Sequence, residues 1–360
     1  MRERIGILTG GGDCPGLNTV IRAVVKCATK RGWDTIGFLG GFEGLLEPLR
    51  YRPLDYKEMD ALLFVGGTIL GTSNKGRFAA KTGHGDSNRI PRETLDQAKA
   101  NFQKLGLRAL VVVGGDGSLS SAQQLFEHSV PVVGVPKTID NDLEATAMTF
   151  GFDSAVACAT DALDRLRTTA ESHDRVMVLE VMGRYAGWIA IYAGVAGGAD
   201  VILIPEIPFT YDSICAKIRE REAKGKKFTL VIVAEGAREK GGGFVTSGAP
   251  EANREARLGG IGAVISEEIS KRSGKETRYC VLGHLQRGGS PTTFDRVLCS
   301  MFGAAAVELI SAGDFGKMVA FTGQHVGSVP IADAVGRLKT VPPEGDLART
   351  ARALGMSLGD

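Results

Sequence analysis

Short apolar runs and helical patterns alternate along most of this chain. Arg4–Thr9, Ala109–Val113 and Val176–Val181 are runs rich in β-branched residues, which predicts strands. In Asn18–Lys30 the apolar residues recur at the spacing of one helix face, which predicts a helix. Glycine-rich stretches separate several of these strands from the helix that follows. The alternation predicts parallel sheets that are covered by helices on both faces.

Further predicted elements continue the same alternation. The remaining predicted strands are Val130–Val135, Val201–Ile204, Phe228–Ala234 and Thr277–Leu282. The remaining predicted helices are Ser118–Glu127, Asp153–Thr169, Ala186–Ala196, Tyr211–Lys224, Gly259–Arg272 and Thr293–Ser311. The polar stretch Arg238–Arg257 has no periodicity and is predicted to be an exposed loop. Because α/β folds bind ligands at the carboxyl ends of their strands, we expect the functional residues in the loops that follow the strands.

The composition excludes several classes of protein. The chain has 360 residues, of which 43% are hydrophobic and 23% charged, as in a globular protein of two domains or one large one. A net charge of +2 gives no general attraction to nucleic acid or to a membrane surface. The 6 cysteines show no CxxC spacing, which favours reduced thiols, and the sequence has neither a signal peptide nor an apolar span of about 20 residues. We therefore expect a cytoplasmic protein that binds neither nucleic acid nor membrane.

Two glycine loops are candidates for phosphate binding. Gly10–Asp13 and Gly114–Ser118 each join a predicted strand to a predicted helix. Backbone N–H groups in such loops, together with the helix dipole, can bind an anion. Asp116 adds a carboxylate that suits Mg²⁺, an ion that usually keeps several of its waters. A tight turn would explain the first loop equally well. In the second loop the carboxylate favours a phosphate chain with Mg²⁺, and a glycine-rich turn in which Ser118 caps the helix is the structural alternative.

A third loop, Pro136–Asp142, carries candidate catalytic groups. Asp140 and Asp142 lie two residues apart with Thr138 beside them, a set that suits proton abstraction and support of a metal. A turn rich in aspartate and asparagine is the structural alternative. Because loops that follow neighbouring parallel strands open to the same side of a sheet, we expect this loop and Gly114–Ser118 to face one cleft.

Arginine and glutamate occupy three further loops at predicted strand ends. Arg184 lies in Met182–Gly187, Glu235 ends another strand, and Arg287 lies in Gly283–Ser290. One guanidinium group can bind two phosphate oxygens at once, and a glutamate can accept hydrogen bonds from sugar hydroxyls. Isolated arginines are more often solvated, but two Arg–Gly loops on a nearly neutral chain favour an anionic substrate. His284 is by itself equally consistent with a structural histidine.

Together these loops resemble the phosphofructokinase family. The resemblance rests on ILTGGGDCPGLN, GGDGS, PKTIDND, EVMGRYAG, AEG and ETRYCVLGHLQRGGSPTTFDR, and it covers about Arg4 to Val335. GGDGS also occurs in NAD kinases and lipid kinases, whereas TIDND, MGRYAG and GHLQRGGSP in this order are specific. The resemblance implies an α/β fold of two Rossmann-like three-layer domains with the active site in the cleft between them. It assigns residues 1–151 and 286–336 to a nucleotide domain, and residues 152–285 and 337–360 to a fructose 6-phosphate domain.

The resemblance also implies a reaction and roles for individual residues. A phosphoryl group would pass from Mg-ATP to the 1-hydroxyl of fructose 6-phosphate, with Asp116 supporting Mg²⁺. Asp140 would be the general base, with Thr138, Asp142 and Arg184 as the other catalytic residues. The residues implied to bind the donor are Gly12, Asn74, Lys75, Gly115, Asp116, Gly117 and Ser118. The residues implied to bind the sugar phosphate are Thr138, Asp140, Arg175, Met182, Gly183, Arg184, Glu235, Arg278, His284 and Arg287.

Two of these residues imply an assembly, and one departs from the family pattern. Arg175 and Arg278 resemble arginines that reach the site of a neighbouring subunit, which implies a homodimer or a homotetramer. Asn74 stands where bacterial enzymes have an arginine, which weakens its assignment to the donor.

Two residues of the chain give conflicting indications of whether the phosphoryl donor is ATP or pyrophosphate. Members of the family that use ATP typically have glycine where this chain has Gly117, whereas members that use pyrophosphate typically have lysine where it has Lys137. We expect ATP, because a missing side chain leaves room for the nucleotide, and pyrophosphate is the alternative. An NAD-kinase-like enzyme would lack the sugar-phosphate loops that are present here. A non-catalytic sugar-phosphate sensor would be favoured if Asp116, Asp140 or Asp142 were missing, and all three are present.

Overall fold

The computed structural model describes residues 2–73, 76–78, 89–246 and 258–360. The chain divides into two compact units, each formed from separate stretches of sequence. The first unit comprises Met1–Ile139, Leu143–Ser154 and Arg287–Leu338. The second unit comprises Asp140–Asp142, Ala155–Gln286 and Lys339–Asp360.

Strands and helices alternate through most of the described chain. The strands are β1 (Arg4–Thr9), β2 (Asp34–Phe38), β3 (Tyr51–Pro53), β4 (Leu107–Gly114), β5 (Val132–Pro136), β6 (Val176–Val181), β7 (Val201–Leu203), β8 (Thr229–Ala234), β9 (Thr277–Val281), β10 (Lys317–Phe321) and β11 (Val326–Pro330). The helices are α1 (Leu17–Lys30), α2 (Arg92–Lys104), α3 (Asp116–Glu127), α4 (Phe152–Ser172), α5 (Trp188–Ala196), α6 (Tyr211–Ala223), α7 (Ile261–Ser273), α8 (Thr293–Ala312), α9 (Ile331–Ala334) and α10 (Asp346–Ala353). Short 3-10 helices lie at Gly41–Leu45, Tyr56–Phe64 and Gly283–Arg287.

The sheet of the first unit has the strand order β11-β10-β5-β4-β1-β2-β3. Its inner strands pair in parallel, and the edge strands β3 and β11 pair antiparallel with their neighbours. Parallel strands are buried on both faces and therefore need nearly continuous apolar sequence. β4 meets this requirement, because every residue in Ala109–Gly114 is buried.

Helices cover both faces of this sheet. Leu8 and Val112 pack in one core cluster with Leu95 of α2 and Leu119 of α3. Ile7 alternates with Leu8, so it points to the opposite face, where it is also fully buried. Helices α1 and α8 pack on each other and contact the sheet. The first unit therefore has three layers.

The second unit is built on a smaller sheet with the order β7-β8-β6-β9, and its strands are all parallel. Val178 and Val231 pack in a core cluster with Ile214 of α6 and Ile265 of α7. Leu230, on the opposite face of β8, packs against Ala170 of α4. This unit is likewise a three-layer α/β structure, as predicted.

The topology places each functional loop at the carboxyl end of a strand. In the first unit, β1 ends at Thr9, β4 at Gly114 and β5 at Pro136, immediately before the loops singled out in the sequence. In the second unit, Met182 follows β6 and Glu235 follows β8. None of the described helices is both long enough and apolar enough to cross a membrane.

Candidate functional site

The first glycine loop carries two cationic side chains. The ammonium group of Lys137 donates a hydrogen bond of 2.5 Å to the carbonyl of Gly12. The guanidinium of Arg287 donates one of 3.2 Å to the carbonyl of Asp13. The loop precedes α1, whose amino end adds partial positive charge. This edge of the first unit therefore favours an anion.

The second glycine loop packs directly on the first. Gly115 caps α3, so that Asp116, Gly117 and Ser118 form its first turn. A Cβ atom at Gly10 would lie 2.5 Å from Oγ of Ser118, so only glycine permits this approach. The loops that follow the neighbouring strands β1 and β4 therefore meet here.

Asp116 is the predicted metal ligand. One of its carboxylate oxygens accepts a hydrogen bond of 2.9 Å from the N–H of Gly336. Among the described residues, no group of three or more His, Cys, Asp or Glu side chains could hold a metal ion. A site with one carboxylate fits Mg²⁺, because that ion is usually held by one or two carboxylates, waters and substrate phosphates. It does not fit a metal that needs a full cage of protein ligands.

The segment that follows β5 is polar in sequence, yet most of its residues are buried. Lys137 and Thr138 are buried beside the second glycine loop, where the N–H of Lys137 donates to the carbonyl of Gly114 at 2.9 Å. Thr149 donates a side-chain hydrogen bond of 2.7 Å to the carbonyl of Thr138. These contacts fix the first part of the segment within the first unit.

In the second unit, the carboxyl groups of Asp140 and Glu235 lie near each other. Asp140 is only 4% exposed. Burial, and secondarily the charge of Asp140, raises the pKa of Glu235 from 4.5 to about 7. The structure thus brings Asp140 within electrostatic range of Glu235, and the negative charge of Asp140 adds to the burial that disfavours ionisation of Glu235.

Arg184 and Glu235 lie on adjacent loops that touch. The N–H of Arg184 donates a hydrogen bond of 3.1 Å to the carboxylate of Glu235. A Cβ atom at Gly236 would lie 1.8 Å from the carbonyl oxygen of Arg184, so this position requires glycine. Arg184 itself is exposed and has a left-handed backbone, with φ at 49°. Arg184 is therefore an exposed residue on a backbone that its neighbours fix tightly.

Met182, which precedes Gly183, is positioned by a residue that was not selected from the sequence. Gln286 is 1% exposed and its side chain accepts a hydrogen bond of 2.8 Å from the N–H of Met182. Its place in GHLQRGG was the available signal. His284, two residues earlier, is exposed, so its side chain is open to a ligand.

Arg175 and Arg278 form ion pairs with the same residue of the second unit. Both guanidinium groups contact the carboxylate of Glu276, at 2.9 Å and 2.6 Å. Arg278 lies on the edge strand β9 and its side chain is 59% exposed. The structure therefore brings these two arginines together at a sheet edge. The predicted donor residues Asn74 and Lys75 lie outside the described residues.

Comparisons with known proteins point to one family. A family model described as Phosphofructokinase matches residues 4–310. A protein of Chloroflexus aggregans named ATP-dependent 6-phosphofructokinase is 52% identical over 359 residues, covering 100% of this chain and 98% of that protein. A pyrophosphate--fructose 6-phosphate 1-phosphotransferase of Amycolatopsis methanolica is 48% identical over 343 residues, covering 95% of this chain and 97% of that protein. The solved structure of phosphofructokinase from Saccharomyces cerevisiae is 29% identical with a TM-score of 0.78, and the match covers 92% of this chain and 45% of that one.

Proposed function

Because this chain belongs to the phosphofructokinase family, we propose that it is an ATP-dependent 6-phosphofructokinase. It transfers the terminal phosphoryl group of ATP to the 1-hydroxyl of fructose 6-phosphate, giving fructose 1,6-bisphosphate and ADP. The full-length similarity to an ATP-dependent relative supports the reaction. The structural observation that carries it is the buried carboxylate of Asp140, whose charge acts on Glu235.

Asp140 serves as the general base for the sugar hydroxyl. Phosphoryl transfer depends on positioning and charge stabilisation more than on covalent chemistry by the protein. A buried carboxylate can take the proton from the 1-hydroxyl as its oxygen attacks phosphorus. Thr138 and Asp142 flank this group in sequence and assist it. Arg184 offsets the charge that develops on the transferred group.

Most of the proposed contacts to the sugar phosphate come from groups of the second unit. Glu235 accepts hydrogen bonds from sugar hydroxyls, and Arg184 is an exposed residue of the adjacent loop. Arginine forks match phosphate oxygens. The remaining proposed contacts to the sugar phosphate come from Met182, Gly183, His284, Arg287, and Arg175 and Arg278 of a neighbouring subunit.

The donor is held by the paired glycine loops of the first unit. Gly12, Gly115, Gly117 and Ser118 offer backbone N–H groups at the amino ends of α1 and α3, where phosphates are favoured. Asp116 would hold Mg²⁺, which when bound neutralises charge on the donor phosphates. We place the enzyme in the cytoplasm as a homodimer or homotetramer.

Pyrophosphate is the second candidate donor, because of one specific observation. The ammonium of Lys137 lies at the first glycine loop, bonded to the carbonyl of Gly12. A cation at this position could bind the terminal phosphate of pyrophosphate as well as that of ATP. Gly117 carries no side chain that would exclude the rest of a nucleotide, which favours ATP.

The proposed reaction is tested by ³¹P NMR of the purified protein with fructose 6-phosphate, ATP and Mg²⁺. We expect resonances of ADP and of a phosphate ester at the sugar 1-position to appear together. Asp140→Ala should lower kcat by about 100-fold or more, the usual scale of general-base catalysis. Release of inorganic phosphate without a sugar bisphosphate, or phosphorylation of NAD instead of the sugar, would refute the proposed function.

A further inference from the structure

A short segment near the carboxyl end of the chain runs beside the catalytic aspartates within the second unit. All three polar groups of Lys339 make hydrogen bonds there. Its N–H donates to the carbonyl of Asp142 at 2.9 Å, and its ammonium donates to the side-chain oxygen of Asn141 at 3.0 Å. Its carbonyl accepts from the indole N–H of Trp188 at 2.9 Å. Hydrogen bonds therefore fix both the backbone and the side chain of Lys339, and its ammonium group contacts Asn141, the residue between Asp140 and Asp142.

Asn141 is the residue whose conformation directs those aspartates. It is 2% exposed and its backbone is left-handed, with φ at 51°. Residues other than glycine adopt this conformation only where the surroundings impose it, although asparagine tolerates it better than most. Since Asn141 lies between Asp140 and Asp142, its backbone sets the direction in which both side chains leave the chain.

The same segment is also attached to the loop of Arg184. The N–H of Val341 donates to the carboxylate of Glu206 at 2.8 Å. That carboxylate also accepts from the N–H of Gly187, at 3.0 Å to the nearer oxygen. Gly187 ends the loop that carries Arg184 and precedes Trp188 in α5. One segment thus links the loop of the general base to the loop of a substrate-binding arginine.

We propose that Lys339 is a positioning residue for phosphoryl transfer. Its ammonium holds the side chain of Asn141, and through it the direction of the Asp140 carboxylate. The inference rests on the proposed function, because it concerns the same reaction. A general base that is misplaced by a fraction of an ångström still allows substrate to bind but slows the chemical step. A contact that only stabilises the fold would instead change the melting temperature and the amount of active enzyme.

The test compares kinetics of Lys339→Met, which removes the ammonium and keeps most of the stem, with Lys339→Arg, which keeps a cation. Lys226→Met, an exposed lysine of the same unit, is the matched control. We expect Lys339→Met to lower kcat about 10-fold or more while KM for each substrate changes less than about threefold. Lys339→Arg should restore most of kcat, and Lys226→Met should match the unmodified enzyme. Active-site concentration and melting temperature are measured in parallel.

A double-mutant cycle tests whether Lys339 affects kcat through its contact with Asn141. Asn141→Gly removes the amide and retains a residue that tolerates positive φ. If Lys339 acts through Asn141, this variant alone lowers kcat, and the double variant is little worse than either single one. Multiplicative losses, an unchanged kcat in Lys339→Met or in Asn141→Gly, or an Arg variant as slow as the Met variant would overturn the proposal. Absence of turnover in the unmodified enzyme would instead refute the proposed function.

Discussion

At the scale of single residues, the site depends on backbone conformations that are rare outside glycine. Asn141 and Arg184 both have positive φ, and both lie in loops assigned to the reaction. Such conformations persist where neighbouring contacts impose them. The sequence singled out both loops as candidates but did not indicate that these two residues have positive φ, because the left-handed state of a single residue leaves no periodic signal.

Glu235 gives a residue-scale prediction for the pH dependence of stability. Its pKa is raised from 4.5 to about 7, mainly by burial. Between these values the folded state binds a proton that the unfolded chain releases, so this group makes the protein less stable as pH rises. Glu235→Gln keeps an acceptor for the N–H of Arg184 and lacks the charge. The melting temperature of the variant relative to the unmodified protein should therefore increase by about 2 °C or more from about pH 5 to about pH 8.

Thermal unfolding at a series of pH values measures this difference. Glu239→Gln, which changes an exposed glutamate in the same stretch of chain, controls for the lost charge. A melting-temperature difference for Glu235→Gln that is constant or shrinks with rising pH would contradict the raised pKa.

At the scale of elements, the strands that are continuous apolar runs were predicted, whereas the inner strands β2 and β10, the helix α2 and the weakly patterned edges were not. Val176–Val181 was predicted with the bounds that the structure shows, because buried parallel strands are continuous apolar runs. The edge strand Val326–Pro330 contains glycine, serine and proline, and its pattern is too weak to predict a strand. The short helix Asp346–Ala353 was also missed, since few of its residues are buried.

The first turn of α8 supports a prediction about stability. Asp295 is fully buried and accepts hydrogen bonds from the N–H of Gly151 at 3.0 Å and from the N–H and hydroxyl of Ser154 at 2.9 Å and 2.6 Å. Asp295→Ala leaves these donors buried without their acceptor. We expect a loss of about 2–4 kcal/mol in the free energy of unfolding, measured by denaturant titration. Glu308→Ala, at an exposed site of the same helix, should cost less than about 0.5 kcal/mol, and equal losses would contradict this role.

At the scale of the whole molecule, the sequence was most informative about the α/β class and the family. Strand-end loops carrying Gly, Asp and Arg were enough to select most of the candidate residues, because parallel strands place their following loops at one edge. Residues such as Lys339 and Gln286 were missed, since their roles depend on tertiary contacts between stretches far apart in sequence. The division into a donor and an acceptor domain, and the assembly through Arg175 and Arg278, stay predictions.

The choice of ATP or pyrophosphate as phosphoryl donor is measured by comparing kcat/KM for the two donors. Initial rates are measured at saturating fructose 6-phosphate and Mg²⁺ with each donor varied. We expect ATP to be preferred by at least about tenfold, or about 1.4 kcal/mol in transition-state free energy, because Gly117 leaves space for the nucleotide. A kcat/KM for pyrophosphate equal to or greater than that for ATP would contradict this expectation.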